Sequence, residues 1–275
     1  MSRSFIDLAA LSQEPWWENE SRRATRVIPV LLLRGHGFVK TTKFKKPVYL
    51  GDPINIVKIF NEKEVDEIII LDIGATVENR GPNFDMLGDI AGECFMPLSY
   101  GGGIGTTDDI HQVTSLGFEK VCINTNAVRS PDLVRAAAER FGSSTIAVSI
   151  DVREGMFGRL STYTHSARES TGMHPVEAAQ RAEEDGAGEL LVNSVNRDGT
   201  MRGYDIDLIR QVADAVSIPV VACGGASNCQ DLAEAALEGG ASAVAAGSMF
   251  VFHGPHRAVL INTPTDRELA QAGLK

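Results

Sequence analysis

The chain is poor in positive charge: 26 lysines and arginines stand against 36 aspartates and glutamates, a formal charge of −10 over 275 residues. That balance excludes a general nucleic-acid binder, which needs a basic footprint. Cysteine is scarce, and Cys94, Cys122, Cys223 and Cys229 form no C-x-x-C pair. Reduced, structural thiols in a cytoplasmic protein are therefore expected, rather than a disulfide framework. The histidines have no H-E-x-x-H or similar spacing, so no metal is expected, and no other cofactor is called for. No apolar run reaches the length of a membrane span. Residues 1–25 carry Trp16-Trp17 among acids, ahead of Arg22-Arg23, and lack the basic-then-apolar order of a signal peptide. They read as an N-terminal extension to a single domain over 26–275.

What is present is alternation. Short, nearly continuous apolar runs at 26–33, 67–73, 96–100, 120–124, 145–151, 189–195, 218–223 and 242–246 read as parallel strands covered on both faces. Helix signals fall between them. Ser130-Pro131 opens a helix that Gly142 closes, His174-Pro175 opens one ending near Gly186, Thr107-Asp108 begins another and Asn228 caps a fourth. Eight strands with interleaved helices predict an α/β fold, a (β/α)8 barrel, with a doubly wound sheet as the alternative.

A half-chain repeat favours the closed barrel. Gly101-Gly102-Gly103 ends one apolar run and is followed by Asn124-Thr125; Gly224-Gly225 ends another and is followed by Gly247-Ser248, with the two sets 123 positions apart. Glycines after a strand let backbone N–H groups close on an anion, so the doubling suggests two anion seats in a duplicated fold.

Two connections exceed simple turns. The first, 34–53, carries Arg34, Lys40, Lys43, Lys45 and Lys46 before its first acid, Asp52, and reads as a basic, mobile lid on the face where barrel active sites lie. The second, 152–173, follows the fifth strand. Asp72, Asp151 and Asp198 sit at or just past strand C-termini, where a carboxylate can face the barrel mouth as a general acid or base. Asp151 is the strongest candidate. At the opposite ends stand Arg26, Glu67, Lys120 and Glu189, two bases and two acids able to neutralise one another across the barrel floor.

From residue 26 onward the chain resembles the cyclase subunit of imidazole glycerol phosphate synthase. The resemblance is carried by Arg26-Val-Ile-Pro29, Gly51-Asp52-Pro53, Leu71-Asp72-Ile73, Gly101–Ile104, Lys120–Thr125, Asp151, Gly186–Glu189, Arg197-Asp-Gly-Thr200, Gly224–Ala226 and Ala245–Ser248. It implies a phosphate-binding barrel with a glutaminase docked on its floor, whose ammonia passes up the barrel centre. It further implies phosphate or substrate contacts at Lys40, Gly103, Asn124, Thr125, Asp198, Gly199, Gly225, Gly247 and Ser248. The four floor charges match the family's ammonia gate.

One departure stands out. The family's cyclase uses two catalytic aspartates, at the ends of strands one and five; Asp151 fills the second place, but the first is Leu32. Asn193 and Asn196 stand where threonine and aspartate are usual. The first strand and the tail 254–262 look like a paralogous branch linked to amidation of surface-glycan sugars. There the barrel delivers ammonia to a separate ATP-dependent amidotransferase, which implies such a partner at the barrel top. Two alternatives stay open: a genuine cyclase with Asp72 in the missing role, and a non-catalytic scaffold that binds a phosphorylated metabolite.

Overall fold

The computed structural model describes residues 25–254 and 256–275, so the expected extension, Trp16-Trp17 included, lies outside the described residues apart from Thr25. The first half runs β1 (Arg26–Arg34), β2 (Gly37–Thr42), β3 (Lys45–Gly51), α1 (Pro53–Glu62), β4 (Ile68–Asp72), α2 (Phe84–Ala91), β5 (Leu98–Gly101), α3 (Thr107–Ser115), β6 (Lys120–Ile123), α4 (Thr125–Arg129) and α5 (Pro131–Phe141). The second half runs β7 (Ile146–Glu154), β8 (Leu160–Thr164), β9 (Glu169–Ser170), α6 (Pro175–Glu184), β10 (Glu189–Ser194), α7 (Ile206–Ala213), β11 (Val220–Cys223), α8 (Cys229–Leu237) and β12 (Ala243–Ala246). A tail of α9 (Ser248–Val251), β13 (Phe252–His253), β14 (Ala258–Val259) and α10 (Asp266–Gln271) follows.

The eight expected strands pair in parallel in the order β1-β4-β5-β6-β7-β10-β11-β12, and β12 pairs with β1 to close the cylinder. The expected (β/α)8 barrel is the fold. Because side chains alternate along a strand, the apolar runs feed two cores. Ile28, Val30, Leu32, Ile69, Cys122, Ala147, Leu191, Val221, Cys223, Ala243 and Ala245 fill the barrel interior. Leu31, Leu33, Ile68, Ile70, Val148, Ile150 and Leu190 point outward into the layer beneath the helices.

Local signals start the helices where they should. Asp52 accepts the Asn55 N–H at 3.0 Å ahead of Pro53 in the first turn, and Thr106 with Asp109 forms a reciprocal cap on α3.

Both long connections differ from the expected loops. The first is a β-hairpin, β2–β3, and β2 pairs antiparallel with the upper end of β1 (Leu32 opposite Val39). Phe38 and Val39 are buried, which ties the hairpin to the barrel instead of leaving it a loose lid. The second is also strand: β7 extends to Glu154 and turns back as β8, with Asp151 opposite Tyr163. The tail forms a short hairpin, β13–β14, before α10.

Candidate functional site

The upper ends of the strands enclose a cavity that, with its mouth, holds about 950 Å3 of empty space. Its lining mixes apolar side chains, among them Val30, Leu32, Leu71 and Ile104, with polar ones, among them Asp72, Asn124, Asp151 and Asp198. Leu32 and Asp151 both line it and both are 8% exposed. The two positions named by the resemblance therefore share one chamber, with a carboxylate in one and an isobutyl group in the other.

The Asp151 carboxyl holds its proton more tightly than an ordinary aspartate. Burial, and then the charge of Asp198, push its carboxyl up to about 7, while a bond from Ser149 Oγ (3.4 Å) opposes the shift. Asn124 Nδ2 approaches the same carboxylate at 3.5 Å and donates to the carbonyls of Ser149 (3.0 Å) and Tyr163 (3.3 Å). Asp198 has a different setting: Lys40 Nζ lies 3.4 Å away and Thr41 Oγ1 3.3 Å away, all three residues buried.

Asp72 is more heavily bonded. Its Oδ1 accepts the N–H groups of Gly74 (3.0 Å) and Ala75 (3.1 Å), and Arg80 grips both oxygens at 2.7 and 3.0 Å. A carboxylate so saturated with hydrogen bonds organises the loop after β4. Arg80, the residue responsible, carried no signal in the sequence beyond its spacing of eight.

The two glycine clusters differ in their surroundings. Gly102 (φ 128°) and Gly103 (φ 70°) line the cavity with Asn124 and Thr125, and Tyr100 Oη holds the Gly102 carbonyl at 3.0 Å. A side chain at Gly103 would strike the Arg80 carbonyl, so the backbone can bend this way only as glycine. Thr125 Oγ1 accepts the His165 N–H at 3.1 Å, which ties the seat to the loop after β8. The second seat lies under the first hairpin: Lys40 Nζ packs over Gly247, 2.3 Å from where a Cβ would stand. Beside it Ser248 Oγ is buried without a hydrogen-bond partner. Gly199 touches the same hairpin at the Thr41 carbonyl, and Gly225 faces the Gly203 carbonyl.

At the floor the four charges converge. Arg26 bonds both Glu67 and Glu189 through its two terminal nitrogens, and Lys120 Nζ lies 2.8 Å from Glu189 and 3.7 Å from Glu67. Ser99 Oγ completes the ring with a 2.6 Å bond to Glu67, a contribution that a serine inside a strand does not advertise. The apolar interior lies between floor and cavity. Cys122 and Cys223 belong to it, and burial pushes the Cys223 thiol up to about 12, as expected of inert thiols. Among the described residues, no three His, Cys, Asp or Glu side chains converge as a metal site would require, and no helix is long and apolar enough to cross a membrane.

Comparison with known proteins agrees with this geometry. The family described as histidine biosynthesis protein matches residues 26–256. A Pseudomonas aeruginosa protein, provisionally named imidazole glycerol phosphate synthase subunit hisF2, is 50% identical over 244 residues, 89% of this chain and 97% of the relative. A Vibrio vulnificus protein, provisionally named subunit hisF3, is 40% identical over 249 residues, 90% and 96% of the two chains. Subunit HisF of Alkaliphilus metalliredigens is 40% identical over 228 residues, 83% and 90% of the two chains. On barrel, cavity and sequence together, the chain belongs to the histidine biosynthesis protein family, as a HisF-like barrel subunit of the imidazole glycerol phosphate synthase type.

Proposed function

We propose that this barrel serves a glutamine-dependent amidation system: it takes ammonia from a glutaminase docked on the floor and releases it at the top, for amidation of a surface-glycan sugar by an ATP-dependent partner. The observation that carries the reading is the split between the two ends. The floor ring keeps all four charges and a neutral sum, while the cavity has Leu32 opposite Asp151. Leucine exchanges no protons, and loss of one member of an acid/base pair costs orders of magnitude in rate. An aliphatic interior, by contrast, still suits neutral ammonia, since ammonium would carry a large desolvation cost there.

Two further points support the paralogous branch over a cyclase that uses Asp72 instead. The Asp72 carboxylate is engaged by Arg80 and two backbone N–H groups. The names of two close relatives also carry the numerals 2 and 3. In this reading Gly103 with Asn124 and Thr125 seats a phosphorylated ligand, and Lys40 is the cation that an anion at Gly225, Gly247 and Ser248 would meet, with Asp198 and Gly199 shaping the rim. The unpaired Ser248 hydroxyl is a donor suited to that anion.

Complementation is the direct test. Expressed in cells that lack their histidine-pathway cyclase subunit, the chain should not support growth without histidine, and Leu32→Asp should restore measurable turnover of the phosphorylated aminoimidazole precursor. Full complementation by the unaltered chain would overturn the reading.

A further inference from the structure

Three hairpins rise from the barrel top, after β1, β7 and β12, and a single loop holds all three. That loop follows β10. Asn196 Oδ1 accepts the Glu154 N–H at 2.9 Å, and its Nδ2 donates to the Glu154 carbonyl at 3.4 Å, fixing the β7–β8 hairpin. The Lys43 N–H donates to the Asp198 carbonyl at 2.9 Å, fixing β2–β3. The Arg257 guanidinium donates to the Gly199 carbonyl at 2.5 Å, fixing β13–β14. Since β7, β10, β11, β12 and β1 are consecutive around the cylinder, the hairpins form one arc along one side of the mouth.

Two of the three hairpins oppose the chain as a whole in sign, while the segment from β7 to β9 carries Glu154 and Glu169 alongside Arg153, Arg159 and Arg168. Residues 34–51 and 252–262 contain no aspartate or glutamate, although the whole chain carries −10. Arg34, Lys43, Lys45 and Lys46 are exposed on the first hairpin and Arg257 on the third. Large apolar side chains are exposed on or beside all three hairpins: Tyr49 is 66% exposed on the first, Phe157 99% and Met156 79% on the second, and Leu260 55% just past the third. Exposed apolar side chains beside charged ones mark a protein-binding surface, because a small anion in the mouth would gain nothing from Phe157 or Leu260. The basic excess on the first and third hairpins steers a partner of the opposite sign.

We propose that this arc docks a second protein whose matching face is acidic with apolar patches, and that this protein consumes the nitrogen released at the mouth. The partner's role rests on the ammonia-transfer reading; the docking surface does not.

The test uses the full chain in its own cells, with a photo-crosslinking residue at Phe157. The expected result is an adduct with one heterologous protein, identified by mass spectrometry as an ammonia-consuming enzyme. Lys43→Glu, Lys45→Glu and Lys46→Glu together should cut that adduct at least tenfold. No adduct, an adduct with a second copy of this chain, or one indifferent to the charge reversal overturns the surface. A second arm follows 15N from amide-labelled glutamine into the product. Tyr49→Ser, Phe157→Ser and Leu260→Ser together, all at exposed positions, should lower incorporation at least tenfold while glutaminase turnover holds. Undiminished incorporation overturns the surface. A charge-sensitive adduct with no 15N transfer by the unaltered chain keeps the surface and removes the ammonia reading instead.

Discussion

Removing Arg26 is the sharpest perturbation of the floor. Its guanidinium touches both Glu67 and Glu189, residues only 3% and 6% exposed, and its loss leaves Lys120 alone between two buried carboxylates. Stripping one partner from a buried ion pair costs about 3–5 kcal/mol. Two features lower that figure: the Arg26 side chain is itself 33% exposed, and Lys120 still reaches Glu189 at 2.8 Å. Arg26→Met should therefore destabilise by about 2–3 kcal/mol, which for a chain of this size lowers Tm by about 4–12 °C. Pairing it with Glu67→Gln restores a neutral ring of Lys120 and Glu189, and the amide keeps an acceptor for Ser99. The double variant should be more stable than Arg26→Met alone, with a coupling of about 1–2 kcal/mol in a denaturant cycle. Additive losses, or an Arg26→Met variant with unaltered Tm, would refute the idea that these charges act as one closed ring.

The remaining expectations concern the top. The Asp151 carboxyl sits near 7 when folded against 3.8 ordinarily, so its neutral form stabilises the fold at low pH, and that contribution is lost as pH rises through about 7. From pH 4 to 8 the loss amounts to up to about 4 kcal/mol, and Asp151→Asn should remove that slope from a plot of urea midpoint against pH. Gly247→Ala places a methyl 2.3 Å from Lys40 Nζ, the tip of a flexible chain, so the barrel should lose under about 2 kcal/mol while trypsin cuts faster within 40–46 as the hairpin lifts. Gly225→Ala has no such escape: its φ is 121° and the Gly203 backbone carbonyl stands 2.1 Å from the new methyl. That variant should lose about 3 kcal/mol or more in the same unfolding assay.

The strands were legible because a parallel barrel strand is buried on both faces, and burial writes itself as continuous Val, Ile, Leu and Ala. Arg26, Glu67, Lys120 and Glu189 were legible for the opposite reason, each being a charge at the edge of such a run. The hairpins were not. In 37–51 the buried pair Phe38-Val39 is outnumbered by lysines, and the turn at Lys43 and Phe44 uses positive φ without a glycine to announce it. Asp72 was legible as a carboxylate at a strand end, and it does line the cavity; that Arg80 grips it there as well needed the fold to be seen. Asn196 registered as a departure from a pattern, while its work, clasping Glu154 across 42 residues, needed coordinates to be seen.

A closed cylinder has no free margin, yet this one acquires one through its first hairpin: β3 pairs with β2 alone, leaving a row of amides and carbonyls unclaimed along Lys45–Gly51. Two lysines and Pro47 sit at its start, the residue types that discourage another strand from stacking on such a border. The same lysines thus stand where a neighbouring strand would have to stack, and replacing 45–47 with valines should raise the tendency of the chain to aggregate.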